Sequence, residues 1–297
     1  MTIPLADPIV IAPSPTPFTA DDAVDFDGIQ RNVARWRKTP LSGLMLNSEN
    51  GEEAFLSEAE RLNIIRAAHE ALEGEKFIVA GIDCPSGTES LRLAEQYVEA
   101  GAELVRLRIP RLTDNVRGYF EQLVPRLPVP ALLINQPAPG QFAQSLPLAA
   151  GTPQLIGQVC QMENVYGYIA GGNIRFEYRT RQYVPQSKKF WIGNGSLLVP
   201  GGAIGANGAC LMFGNVAPAE CQEIIRLTMQ GKLTEAQAIQ TRLIEADHLI
   251  LDRGAAGIKA ALDLLGYVGG LPRRPSLPLT ADEKARLRAA LVAAQLL

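Results

Sequence analysis

The chain has 297 residues, 47% of them hydrophobic, and a formal charge of −3 at pH 7. That is enough to bury a large core in one α/β barrel or two modest domains, and without a basic stripe it argues against nucleic acid as a partner. No apolar run approaches a membrane span, "MTIPLADPIVIAPSP" lacks the charged start and apolar core of a secretory leader, and Cys84, Cys160, Cys210 and Cys221 form no C-x-x-C pair, which fits reduced thiols in the cytoplasm.

Short β-rich apolar runs alternate along the chain with longer amphipathic segments. "PIVIA" (8–12), "GLMLN" (43–47) and "FIVAGI" (77–82) come first. Ser57 and Glu60 have capping-box spacing before a helical pattern over Glu58 to Leu72. Thr88 reads as the N-cap of a second helix over Glu89 to Ala100. The strand candidates continue with "ELVRLRI" (103–109), "ALLIN" (131–135), "LIGQV" (155–159), "FWIGN" (190–194) and "ACLMF" (209–213). Such alternation implies parallel strands joined by right-handed crossovers, and eight units in an undivided chain imply a (β/α)8 TIM barrel, an α/β fold. From Thr234 the pattern is helical only, with capping-box spacing at Thr234/Gln237 and Thr280/Glu283. We expect a barrel over 1–230 and a helical appendage over 231–297. A doubly wound open sheet is the alternative, but no Gly-rich loop follows the first strand.

Barrel chemistry sits at the C-terminal strand ends. There the sequence offers Asn47, Ser48, Glu49, Asn50, Gly51 and Glu52 after strand 2, Asp83 and Cys84 after strand 3, and Arg106, Arg108 and Arg111 on strand 4. Asn135 and Gln136 follow strand 5, Gln158, Cys160 and Gln161 the expected strand 6, and Asn194, Ser196 and Asn215 complete the ring. Arg106 and Arg108 alternate with Val105, Leu107 and Ile109, so they share one face of a strand expected to be buried on both. They read either as an anchor for a substrate carboxylate or phosphate, or as a structural ion pair with Glu49, Glu52 or Asp83. Glu49 and Glu52 read as an acid/base pair or, for Glu52, as a loop-shaping residue. Cys160 reads as a nucleophile only with a base beside it, and His69 and His248 both lie in helical segments, which leaves a buried filler as the other reading. The segment 166–189, "YGYIAGGNIRFEYRTRQYVPQSKK", is either a lid over the mouth or an amphipathic helix packed on the barrel. No metal-ligand cluster is visible, so no metal or cofactor is expected.

"TPF" (16–18), "NGE" (50–52), "GNVAP" (214–218), "GKLTEAQAIQTRL" and "GIKAALDLLG" occur in an order that resembles the dihydrodipicolinate synthase / N-acetylneuraminate lyase family. The resemblance covers nearly the whole chain and implies class I aldolase chemistry, in which a strand-6 lysine in an "IVGIK" setting forms an imine with pyruvate. Against that motif "LIGQV" puts Val159 at the lysine. The family's strand-5 tyrosine in "Y-N-x-P" becomes Ile134 in "INQP", Glu49–Asn50 replaces the threonines of "TTGE", and "PRL" (110–112) replaces "PYY". No lysine occurs between Lys76 and Lys188.

Three functional readings follow. The first is a lyase- or hydratase-type enzyme that uses no Schiff base on a small carboxylate or oxo-acid, with Glu49 as acid/base and Asn50, Gly51, Glu52, Arg106, Arg108, Asn135, Val159, Asn194 and Asn215 around the ligand. The second is an inactive family member kept as a ligand sensor or partner subunit. The third, a conventional pyruvate aldolase, lacks its nucleophile. The resemblance also implies a homo-oligomer, dimer or tetramer.

Overall fold

The computed structural model describes residues 6–110, 115–136, 151–171 and 173–297. Eight parallel strands close into a barrel in chain order, with the first paired to the last. They are β1 (Ile9–Pro13), β2 (Gly43–Leu46), β3 (Phe77–Ile82), β4 (Leu104–Arg108), β5 (Ala131–Ile134), β6 (Val165–Ala170), β7 (Lys189–Ile192) and β8 (Gly208–Cys210). The intervening helices are α1 (Phe26–Trp36), α2 (Glu58–Leu72), α3 (Gly87–Glu99), α4 (Val116–Leu123), α5 (Pro153–Cys160), α6 (Ile174–Arg181), α7 (Leu198–Ala203) and α8 (Pro218–Met229). Three more, α9 (Leu233–Asp252), α10 (Gly254–Leu264) and α11 (Ala281–Ala293), follow the barrel. This is a (β/α)8 TIM barrel with C-terminal helices. None of the described helices is long and apolar enough to cross a membrane.

Period-2 alternation divides the strand side chains between two cores. Ile9, Ile11, Phe77, Val79, Leu104 and Trp191 fill the barrel interior, while Val10, Ile78, Val105, Leu133 and Phe190 pack outward under the helices. The capping boxes at Ser57/Glu60 and Thr280/Glu283 form as expected. Two expected caps do not. Ser86, not Thr88, caps α3, and α9 begins one residue before Thr234, at Leu233, with no side-chain cap.

The larger correction concerns strand 6. Residues 153–160, including the expected strand "LIGQV", form α5. Five apolar-rich residues fit a buried strand or a buried helix face equally well, and the deciding signal lies just outside the run. Thr152 caps the helix by accepting the Leu155 backbone N–H at 3.2 Å, and Pro153 occupies the first turn, where a missing N–H costs nothing. The sixth strand is instead "VYGYIA", inside the segment read as a lid or helix; only its later part, α6, is helical.

A bulge in β6 then decides which side chains reach the interior. Val165 pairs with Ala131 but Gly167 pairs with Leu132, so Tyr166 is an extra residue. Beyond it the alternation is reset: Ile169 joins the interior core, and Tyr168 points outward, where its hydroxyl donates to Glu177 Oε1 on α6 at 3.2 Å.

Candidate functional site

At the C-terminal strand ends lies a cavity of about 490 Å³, closed on the far side by Leu251, Gly254 and Ala255 around the α9–α10 junction. Its polar wall comes from the turn after β2 (Ser48, Glu49, Asn50) and from β4 (Arg106, Arg108). Its apolar wall includes Ile134 of β5, Ile169 of β6 and Met212 after β8, with Gln136 and Asn194 at the rim.

The turn after β2 owes its shape to two non-glycine residues in the left-handed region, Asn47 (φ +52°) and Glu52 (φ +58°). Such backbone persists only where the surroundings enforce it. Asn47 is buried and donates to the Arg61 carbonyl at 3.3 Å. Glu52 turns away from the cavity and forms a buried ion pair with Lys259 of α10, and it also accepts the Arg273 backbone N–H at 2.9 Å. Between these two anchors Ser48, Glu49 and Asn50 face the cavity. The Ser48 hydroxyl is buried there, 5% exposed, with no hydrogen-bond partner among the described residues.

Arg106 and Arg108 follow Leu104 on the inward face of β4. Arg106, 1% exposed, grips Asp83 with both terminal nitrogens, and Arg108 donates from Nε to the same carboxylate at 2.6 Å. Gly81 of β3 leaves room for this: a Cβ there would strike the Arg106 guanidinium and the Asn47 carbonyl. Arg108 also reaches Glu53 Oε1 at 3.4 Å and Glu49 Oε2 at 3.8 Å. Burial pushes Asp83 up, but the two guanidiniums outweigh it and hold this carboxyl well below the usual carboxylate range. Glu53 goes the other way: burial, then its hydrogen bond to Asp83 and the charge there, push it up to about 8. Its Oε2 is buried with no hydrogen-bond partner among the described residues.

Glu53 therefore binds its proton in the fold well above the ordinary carboxylate value of 4.5 that applies to the unfolded chain. Between those two pH values the folded state holds the extra proton, so its contribution to stability is full below about 4.5 and falls as pH rises toward about 8. Glu53→Gln, whose amide can donate to Asp83 at any pH, is expected to flatten the loss of urea-unfolding free energy between pH 5 and pH 8.5. An unchanged slope would contradict the protonated assignment.

Of the residues expected from sequence, Glu49, Asn50, Arg106, Arg108 and Asn194 line the cavity, and Glu49 is the only acidic residue among the described lining. Others lie elsewhere. Val159 is on α5, buried in the outer core, as is Cys160, whose thiol burial pushes up to about 12; Gln158 and Gln161 belong to the same helical turn. Glu52 holds Lys259, and the Gly51 carbonyl accepts the Thr16 hydroxyl at 2.8 Å. Asn215, fully buried, donates to the carbonyls of Pro13 and Met212, tying β8 to β1. Asn135 donates to the Gly151 carbonyl at 3.4 Å, and Gln136 lines the cavity beside it. Arg111 and Pro137 fall outside the described residues. Glu53 escaped the sequence reading, hidden as the second glutamate of "GEE".

A profile of the dihydrodipicolinate synthetase family matches residues 8–294. The chain belongs to that family. A 4-hydroxy-tetrahydrodipicolinate synthase of Archaeoglobus fulgidus is 26% identical over 294 residues, covering 97% of this chain and 98% of the relative. One from Methanothrix thermoacetophila is 28% identical over 281 residues, with 92% of each chain covered. Among solved structures, the dihydrodipicolinate synthase of Cyanidioschyzon merolae superposes with a TM-score of 0.87 at 23% identity, over 97% of this chain and 98% of that one. The last likeness is one of fold. Within the dihydrodipicolinate synthetase family, then, this chain presents a cavity lined by two guanidiniums and, among its described lining residues, no lysine.

Proposed function

We propose that this family member binds a small carboxylate or oxo-acid at the barrel mouth and acts on it by a lyase- or hydratase-type reaction without a Schiff base. The supporting observation is the donor set: Arg106, Arg108 and the Ser48 hydroxyl, which has no partner among the described residues, line one cavity. Buried guanidiniums and a hydroxyl with a free proton suit an anion. When the family motif "IVGIK" is laid on "VYGYI" (165–169), glycine falls on Gly167 and the lysine position falls on Ile169, a side chain that cannot form an imine. Ile134, in the place of the strand-5 tyrosine, lines the same wall. Glu49, exposed enough to move and 3.8 Å from Arg108, is the carboxylate placed to transfer protons.

The test is thermal stabilisation by a panel of oxo- and hydroxy-acids, followed by turnover assays of any acid that binds. Arg108→Ala is expected to weaken binding about tenfold or more. Glu49→Gln is expected to keep binding and lower turnover by about 10²–10⁴. Binding without turnover in the parent chain would favour a ligand-sensing or partner-subunit role, and no stabilisation by any carboxylate would contradict the proposal.

A further inference from the structure

The cavity wall is divided. Among the described residues the charged groups stand on the β2–β4 side, whereas the β5, β6 and β8 side presents Ile134, Ile169 and Met212, with the Gln136 and Asn194 amides at the rim. Each of these three is at least nine-tenths buried and offers no hydrogen bond to a ligand. On the other side the Ser48 hydroxyl, equally buried, has no partner among the described residues. From this division, and resting on the reading that a carboxylate occupies the mouth, we infer that the ligand is a small monocarboxylate with a compact apolar body, its carboxylate toward Ser48 and Arg108 and its body against Ile134, Ile169 and Met212.

The physical reason is an asymmetry of cost. A methyl or isopropyl group laid on that wall leaves water and meets dispersion partners. A hydroxyl laid on it loses its water hydrogen bonds and gains none, and a second carboxylate loses far more. A cavity of about 490 Å³ is large enough to hold a ligand of this size. The wall therefore selects against sugar acids and dicarboxylates as well as for apolar substituents.

Isothermal titration of the full chain with four sodium salts tests this: pyruvate, 2-oxoisovalerate, succinate and gluconate. The branched acid is expected to bind about tenfold or more tightly than pyruvate, with succinate and gluconate weaker than both. Ile169→Thr, which puts a hydroxyl on the apolar wall, is expected to shrink the advantage of 2-oxoisovalerate over pyruvate to about threefold or less, whereas Ile169→Val, which has the shape of the threonine variant without the hydroxyl, is expected to keep most of it. Circular dichroism of each variant confirms that it folds, and Met212→Gln serves as the second probe of the same wall. Succinate or gluconate binding as tightly as the branched acid would overturn the inference and leave the carboxylate reading standing. No binding by any of the four would overturn both.

Discussion

Arg106→Met is expected to lower the free energy of unfolding by about 3–5 kcal/mol. The substitution keeps most of the side-chain volume but strands Asp83, which depends on Arg106 for two of its donors. Removing one partner of a buried pair is costly because the remaining charge stays desolvated. The pH dependence should carry the signature of that carboxylate. In the parent chain Asp83 has a depressed proton affinity, so its stabilising contribution is present above its ordinary value of 3.8 and lost as pH falls below it. The gap between parent and variant should therefore be widest near neutral pH and narrow below about pH 4. Urea unfolding across that range checks it. A variant that loses less than about 1 kcal/mol at pH 7 would mean that Asp83 does not rely on this guanidinium.

Lys259→Met is the second large effect, again about 3–5 kcal/mol. Lys259 is 1% exposed; burial lowers its proton affinity, and the Glu52 carboxylate opposes that shift. Its ammonium also donates to the Leu271 carbonyl at 2.8 Å and lies 4.4 Å from the centre of the Phe18 ring. This lysine therefore fastens the β2 turn to the C-terminal helices, and losing it loosens the backbone that presents Ser48, Glu49 and Asn50. The double variant Glu52→Gln/Lys259→Met should recover part of the loss, because no buried charge is then left alone. Additive losses in that cycle would show that the two groups do not stabilise each other.

The barrel was legible because seven of its strands are bounded runs of apolar residues with no competing period. "FIVAGI" and Glu58 to Leu72 match β3 and α2 residue for residue. The exception was also physical. "LIGQV" carries no intrinsic choice between helix and strand, and "VYGYIA" hides its alternation behind the Tyr166 bulge. Misplacing that strand put Val159 in the barrel wall, whereas it lies on α5 and the sixth strand runs through Ile169. In the site, inward alternation made Arg106 and Arg108 readable from sequence. The turn of chain that sends Glu52 outward and Glu53 to Arg108 was not, because it depends on left-handed backbone at Glu52 that no residue pattern announces. The pairing of Glu53 with Asp83 is longer-range still, since it needs the β2 turn and the end of β3 to meet.

The most direct measurement incubates the full chain with pyruvate and borohydride and weighs it intact, then maps any adduct by peptide. Ile169→Lys is the positive control, expected to gain one equivalent of reduced pyruvate at the new amine. For the parent chain the expected mass is unchanged. A single stoichiometric adduct on a native lysine, blocked by a competing oxo-acid, would contradict imine-free chemistry at this barrel mouth.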